Sequence, residues 1–426
     1  MTVRLDQLDA ADLVARLQRR EITVQAVLRA FLERIEEREP VVRAWAHIDT
    51  EAAIAAALDL DRGPIRGPLH GFPVGVKDVY DTFDMPTAYG SPIYANHRPR
   101  TDAGSVALTR RFGGLIVGKT VTTEFATFPP GPTTNPRNAA HTPGGSSSGS
   151  AAAVGAGMVP IAFGTQTTGS IIRPASFCGT VGYKPTFGTL SPIGVKAITW
   201  SFDTVGVLAR TVADAAFFVG TLAGRDDVRD AIANSAPRIG ICLTAQWPQA
   251  LPETRALFEA LPARLAAKGA KVGSVDLPRS FDGINDAQDT IWEYEMARCL
   301  ADEHRRFPEQ IRERLRKQLD SGLAMPVGRY DTAMQLARES RLQVGAAFGD
   351  CDVLVVPSAP GEAPRGTEAT GDPVFNRTWS LLHTPAIHVP SGQGPNGLPI
   401  GVQVIGRIGD DARALACARW IERALG

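Results

Sequence analysis

The chain has 426 residues, of which 44% are hydrophobic, so it is long enough to bury a large core. Its 45 basic and 45 acidic residues give a formal net charge of zero, which argues against nucleic acid or a membrane as a partner and favours a small molecule. The five scattered cysteines lack CxxC spacing, so neither a disulfide framework nor a zinc site is expected, and a reducing, cytoplasmic location is the simplest expectation.

Helices and strands alternate along the predicted chain. Two amphipathic helices open it at about 10–20 and 23–37, and another begins near Asp102, its expected N-cap. Short apolar runs predict strands throughout the chain, at 71–76, 115–119, 238–244, 352–358, 386–390 and 399–406. Since strands occur towards both ends, we expect one sheet built from distant segments in a single large α/β/α domain.

A glycine- and serine-rich loop runs directly into an alanine-rich helix at 142–160. Its glycines allow close backbone approach, while its hydroxyls and first-turn amides favour negative charge. Simple helix capping or an anion site therefore explains this loop when it is taken alone. A phosphate-binding P-loop would need a lysine where the chain has Gly149–Ser150–Ala151, so nucleotide binding is not favoured.

A second glycine–serine turn ends at Ser170. The backbone N–H groups of Thr167, Thr168, Gly169 and Ser170 can form an oxyanion hole there, although a turn without catalytic function is the alternative. The G-x-S-x-G elbow of α/β-hydrolases is absent, so the serine needs another activating base. Lys77 is the candidate because it follows an apolar run, where burial would lower its pKa; a solvated lysine at a strand end is the alternative.

Three motifs in this order resemble the amidase signature family of Ser–Ser–Lys hydrolases: GVKD, GGSSSGSAAAVGAG and GTQTTGSIIRPA. The segments GYKPTFGTLSPIGV, FDTVGVLARTVADA and LPIGVQVIG are also similar, so the resemblance covers nearly all of the chain from about residue 70. It implies one amidase domain over 1–426 with a mixed central sheet covered by helices. Within it, 1–65 would supply N-terminal helices, 66–225 the signature core, and 226–426 the remaining helices and strands.

The resemblance also implies the roles of the site residues. Ser170 would be the nucleophile, Lys77 the base, and Ser146 the relay, a serine whose peptide is usually cis in this family; Ser147 is the next choice for the relay. Thr167, Thr168 and Gly169 would line the oxyanion hole with Ser170. The implied reaction is hydrolysis of an amide C–N bond through a seryl acyl-enzyme, without a metal or cofactor. His383 and His388 lack an acidic ligand pattern, so a metal site is not expected.

Two positions depart from the family pattern. Gln166 stands where aspartate is typical, and the arginine usually found two residues after the nucleophile is instead the third residue, Arg173. In a helix this shift turns the side chain by about 100°. We expect Arg173, with Gln166 and Thr165, to bind substrate, and Arg173 to clamp a carboxylate. An internal salt bridge is the alternative for Arg173.

The members that look most similar are the malonamidases, which favours a dicarboxylic acid monoamide such as malonamate as the substrate. A broad aryl-acylamide, carbamate or ester hydrolase is one alternative, because the same attack serves all of these substrates. Another is the glutaminase-type subunit of a tRNA-dependent amidotransferase. A homodimer is plausible because relatives commonly dimerise.

Overall fold

Eleven strands join into one mixed sheet in the computed structural model, which describes residues 4–426. In chain order they are β1 Trp45–Ile48, β2 Pro73–Lys77, β3 Leu115–Thr120, β4 Ile161–Gln166, β5 Val181–Lys184, β6 Thr204–Ala209, β7 Arg238–Ile241, β8 Lys271–Ser274, β9 Val353–Pro357, β10 Ala386–Gln393 and β11 Pro399–Ile405. Their order across the sheet is β1-β3-β2-β4-β6-β5-β10-β11-β9-β7-β8. The first and last thirds of the chain thus share one sheet, as the strand pattern predicted.

Parallel pairing occurs in two places, β3-β2-β4 and β9-β7-β8, and antiparallel pairs join the strands between them. Every residue of β2, β3, β4, β6, β9 and β11 is buried. Strands covered on both faces need continuous apolar or small residues, which explains why these segments lack an alternating pattern.

Helices cover this sheet. They are α1 Ala10–Gln18, α2 Val24–Val42, α3 Thr50–Arg62, α4 Gly104–Arg111, α5 Ser148–Gly155, α6 Ile172–Cys178, α7 Val212–Ala223, α8 Asp226–Arg229, α9 Pro252–Ala266, α10 Ile284–Cys299, α11 Ala301–Arg306, α12 Glu313–Ala324, α13 Val327–Ala347, α14 Arg377–Leu381 and α15 Asp411–Leu425. In the part of the chain from residue 4 onward, none of them combines the length and apolar character needed to cross a bilayer.

The predicted boundaries differ from the structure in two instructive places. Asp102 is not the N-cap of α4; the helix begins after Ala103 and has no side-chain cap. The Asp102 carboxylate instead accepts a hydrogen bond from the Phe83 backbone N–H at 3.1 Å and pairs with Arg110 at 3.1 Å. The second helix, expected to end at 37, continues to Val42. Tertiary contacts therefore outweigh the local signals at these two ends.

The elements that carry the two serine motifs pack with almost no free space. The loop at 142–147 leads into α5, and β4 leads through a turn into α6. A Cβ atom at Gly149 would overlap the Ala44 carbonyl oxygen and the Val121 backbone nitrogen. This close approach requires glycine and fixes the start of α5 against the end of β3.

A substitution at Phe163, in the middle of β4, tests how much this core contributes to the stability of the protein. Phe163 is fully buried, with ring centroids 5.3 Å from both Tyr80 and Phe218. We expect Phe163→Ala to cost about 3–5 kcal/mol and to lower the melting temperature measured by calorimetry. The matched control is Phe83→Ala, at a side chain that is 55% exposed, which should change stability by less than about 0.5 kcal/mol. Equal losses in the two variants would contradict this assignment of the core.

Candidate active site

Lys77 lies at the end of β2 with no exposed surface. Its Nζ donates to Ser146 Oγ at 2.8 Å and to Thr165 Oγ1 at 2.7 Å. No carboxylate within residues 4–426 forms an ion pair with it. Burial lowers the pKa of Lys77 to about 7, and the more distant negative charge of Asp203 opposes the shift. A neutral amine is therefore accessible near neutral pH.

Ser146 is the serine of its motif that contacts Lys77. It follows a cis peptide bond from Gly145 and is buried. The hydroxyl of Ser147 is engaged elsewhere, since its Oγ lies 3.3 Å from both the backbone nitrogen and the backbone oxygen of Thr165. The Ser147 backbone N–H donates to the Ser170 carbonyl at 3.3 Å, which joins the two serine motifs directly.

Ser170 ends the turn between β4 and α6 and is 5% exposed. Within residues 4–426, no protein acceptor engages the backbone N–H groups of Thr168, Gly169 or Ser170. Unpartnered N–H groups on three successive residues beside a serine are the arrangement that an oxyanion hole needs. The structure thus brings these predicted residues together in one turn.

Three polar contacts with Asp203, Ser380 and Arg173 hold this turn. The Thr167 hydroxyl donates to Asp203 at 2.5 Å, and the Ser380 hydroxyl donates to the Thr168 carbonyl at 2.8 Å. The Arg173 backbone N–H donates to the Gly169 carbonyl at 2.9 Å. Because the Thr168 and Gly169 carbonyls accept these hydrogen bonds, the free N–H groups of the turn are held in a fixed orientation.

Gln166 and Thr165 make contacts with the protein rather than presenting free polar groups. Gln166 is fully buried; its Oε1 accepts from the backbone N–H groups of Ile171 and Ile172 at 2.9 and 3.0 Å, and its Nε2 donates to Ser380 Oγ at 3.0 Å. The Thr165 hydroxyl is occupied by Lys77. Gln166 therefore stabilises the turn, and Thr165 positions Lys77. The sequence analysis had predicted contact with substrate for both residues.

Arg173 is buried, with only 3% exposure, and has no carboxylate partner within residues 4–426, so the internal salt bridge considered above does not form. Its Nη1 donates to the Gly371 carbonyl at 2.7 Å, and its Nη2 donates to the Gly145 carbonyl at 2.6 Å and to Thr370 Oγ1 at 3.1 Å. Its Nε has no partner. Burial lowers the pKa of Arg173 to about 10, which leaves it charged at neutral pH.

Three residues at this site had no assigned role in the sequence: Asp203, Asn376 and Ser380. Asp203 lies in the segment FDTVGVLARTVADA, which matched the family without indicating a function. Asn376 lies against Gly169, where an added Cβ would overlap its Oδ1 and lie 2.8 Å from Pro373 Cβ. No local pattern marks these residues, because they reach the turn from distant parts of the chain.

The aromatic residues Phe128, Trp200, Phe202 and Trp292 lie in separate environments. Phe128 and Trp292 pack edge to face with ring centroids 5.4 Å apart, Phe202 is fully buried, and Trp200 is half exposed. His383 and His388 lie near Ser201 O and Ser358 Oγ respectively, at 2.8 and 2.7 Å. Residues 4–426 contain no cluster of three His, Cys, Asp or Glu side chains suited to a metal ion.

The chain combines this sheet with a Lys77–Ser146 pair beside a serine turn, and comparison with known proteins gives its class, an enzyme that hydrolyses amides. Residues 26–415 match the family model described as Amidase, so the chain belongs to the amidase signature family. It is 34% identical to one subunit of the glutamyl-tRNA(Gln) amidotransferase from Solidesulfovibrio magneticus, over 96% of this chain and 95% of that protein.

Solved structures agree with this assignment. A crystal structure of an amidase superimposes with a TM-score of 0.90 at 32% identity, over 98% of this chain and 100% of that one. The native peptide amidase from Stenotrophomonas maltophilia gives a TM-score of 0.83 at 30% identity, over 98% and 97% of the two chains. These relatives support the family, whereas the likeness to malonamidases remains a proposal.

Gly169 offers a direct test of the turn. A methyl group there would collide with Asn376 and Pro373, so we expect Gly169→Ala to displace the free N–H groups. Loss of an oxyanion donor typically costs about 100-fold or more in kcat. The control is Gly273→Ala, where an added Cβ meets nothing within 4 Å. Ammonia release on any accepted amide measures both variants, and wild-type kcat in Gly169→Ala would show that this turn does not stabilise the transition state.

Proposed function

We propose that the protein hydrolyses the C–N bond of a small amide through an acyl-enzyme on Ser170. The observation that carries the proposal is the buried Lys77, which contacts Ser146 and has a pKa of about 7, next to a turn with free backbone N–H groups. A lysine without a carboxylate partner is suited to act as a base because its neutral form is populated near neutral pH.

In the proposed mechanism, neutral Lys77 takes a proton from Ser146, which takes the Ser170 hydroxyl proton as Ser170 Oγ attacks the amide carbonyl. The N–H groups of Thr168, Gly169 and Ser170 stabilise the negative charge on the former carbonyl oxygen. Ser146 then donates a proton to the leaving nitrogen, and ammonia or an amine departs. Water activated by the same relay attacks the ester on Ser170 and releases the acid.

The proposed substrate carries a carboxylate on its acyl side. Arg173 supports this, since a buried guanidinium without a carboxylate partner lacks the compensation that buried charges ordinarily have. Its bond to the Gly145 carbonyl places it one residue from Ser146. A substrate carboxylate would supply the missing negative charge, as in a dicarboxylic acid monoamide such as malonamate or succinamate.

The second candidate function is that of a glutaminase-type subunit of an amidotransferase. The amidotransferase relative from Solidesulfovibrio magneticus supports it by matching almost the whole chain. Glutamine is itself an amide with a carboxylate, so Arg173 is compatible with this function too. Ammonia transfer would require a partner chain, whereas a free hydrolase, as a monomer or the homodimer considered above, would release ammonia alone. Within residues 4–426, no feature favours the broad aryl-amide alternative.

The pH dependence of kcat/KM tests Lys77. Only the neutral amine accepts a proton, so kcat/KM should rise with pH and level off above a midpoint near 7. Lys77→Met should remove this titration together with about 10²-fold or more of the activity. A wild-type profile that stays flat from pH 5.5 to 9 would contradict a role for Lys77 as base.

Ammonia release from succinamate, L-glutamine and the uncharged isostere 4-methylpentanamide tests Arg173. Arg173→Met should lower kcat/KM on succinamate by about 10–100-fold, which corresponds to a hydrogen bond with a charged group of about 1.5–3 kcal/mol. The same variant should change kcat/KM on 4-methylpentanamide by less than about 3-fold.

The control for this panel is Arg173→Lys, which keeps the positive charge but loses the planar, bidentate guanidinium. It should recover part of the succinamate activity that Arg173→Met loses. Equal losses on all substrates would instead show that Arg173 only holds the Gly145 carbonyl. A strong preference for L-glutamine, with ammonia passed to a copurifying chain, would favour the amidotransferase function.

A further inference from the structure

Gln288, on α10, is fully buried, yet neither its Oε1 nor its Nε2 has a hydrogen-bond partner. No other carboxamide within residues 4–426 has both polar atoms buried and unpartnered. Each such group costs about 1–3 kcal/mol relative to a satisfied one. A leucine or methionine would fill the same volume without this cost, so the carboxamide calls for a functional explanation.

Neighbouring residues on the helix face that carries Gln288 contact segments close to the catalytic turn. Asn285, Gln288 and Trp292 are spaced by three and four residues, so they lie on one face of the helix. At one end of this face, Asn285 Oδ1 accepts a hydrogen bond from Thr378 Oγ1 at 2.8 Å. Thr378 belongs to α14, the helix whose Ser380 holds the Thr168 carbonyl.

The other end of the same face reaches two further segments of the site. Trp292 packs on Phe128, which follows the short segment whose Thr123 backbone N–H donates to the Ser146 carbonyl at 3.3 Å. One turn later, Glu295 accepts from the Ser201 backbone N–H at 3.1 Å, close to the Asp203 that binds Thr167. The face therefore contacts Thr378, Phe128 and Ser201, which lie on three segments near the proposed site, and Gln288 lies in its middle.

We propose that Gln288 is a specificity-determining residue that binds the polar end of the substrate's acyl chain. Its Nε2 donates to an oxygen of that end group, and its Oε1 accepts from an N–H where the substrate has one. The substrate class is thus a short amide that ends, away from the scissile bond, in a carboxylate or a second carboxamide. This inference rests on the proposed hydrolysis at Ser170.

A purely structural role for Gln288 predicts a different pattern. A structural carboxamide would stabilise the fold, so Gln288→Leu would lower the melting temperature and reduce activity on every substrate alike. A binding role predicts that Gln288→Leu keeps or raises the melting temperature, because an unsatisfied polar group is removed from the interior. The same variant would lose activity only on substrates with a polar end group.

The test uses three amides of one chain length: succinamate, succinamide and 4-methylpentanamide, which end in a carboxylate, a carboxamide and an isopropyl group. Gln288→Leu should lower kcat/KM about 10-fold or more on the first two, mainly through KM, and less than about 3-fold on the third. Gln288→Glu should reduce succinamate hydrolysis at least about 10-fold more than succinamide hydrolysis, because two carboxylates then repel each other.

The matched control is Gln318→Leu, on α12, where the Oε1 is likewise buried without a partner; this helix packs on α10 and α11 and carries none of the proposed site residues. It should leave kcat/KM unchanged on all three amides. Equal losses of Gln288→Leu on all three substrates, or unchanged kinetics in both Gln288 variants, would overturn the proposal. Residual hydrolysis by Ser170→Ala would instead overturn the proposed function, so the two failures are distinguishable.

Discussion

The site depends on the burial of Lys77 without a carboxylate partner. Lys77 and Lys119 lie on neighbouring strands of the sheet, and both are fully buried. Lys119 forms an ion pair with Asp78 at 2.9 Å, whereas Lys77 has only the hydroxyls of Ser146 and Thr165. Burying a charge without a counter-charge favours the neutral form, so the same residue type forms an ion pair on one strand and, on the next, is suited to the base role proposed for Lys77.

The rest of the architecture keeps the Ser146 and Thr165 hydroxyls in contact with that lysine. The two serine motifs are separated in sequence by the whole of α5 and β4, yet the Ser147 backbone N–H donates to the Ser170 carbonyl. β2 and β4 are parallel neighbours, which puts Lys77 and the turn after β4 at the same edge of the sheet. Glycines at 149 and 169 allow the backbones to approach closely enough for this assembly.

Residue pattern alone was sufficient to predict the α/β class and the late strands, and it suggested an oxyanion hole at the serine turn, which stays a prediction. Family motifs were needed to combine Lys77, Ser146 and Ser170 into one site. Local signals were misleading where a tertiary contact competed with them. Asp102 stands at a position typical of an N-cap, but its carboxylate binds Arg110. Gln166 stands where the family typically has an aspartate, and its side chain accepts hydrogen bonds from the backbone N–H groups at the start of α6.

Arg173, Asp203 and Gln288 show why the remainder could not be predicted. The burial of Arg173 depends on Gly371 and Thr370, which lie about 200 residues away along the chain, at separations of 198 and 197. Asp203 and Gln288 lie far from the turn in sequence, so their importance becomes visible only in the folded chain. Substrate specificity therefore depends on residues that only the fold brings together, whereas short sequence motifs indicate the proposed reaction type.

The bond from Ser380 to the Thr168 carbonyl spans 212 positions of sequence. During synthesis, Ser170 leaves the ribosome long before α14 does, and domains of this kind complete their long-range contacts late. A nascent chain that has not reached residue 380 carries Lys77, Ser146 and Ser170 but lacks the hydroxyl that holds the Thr168 carbonyl. The proposed hydrolysis at Ser170 would therefore depend on a side chain that is synthesised long after Ser170 itself.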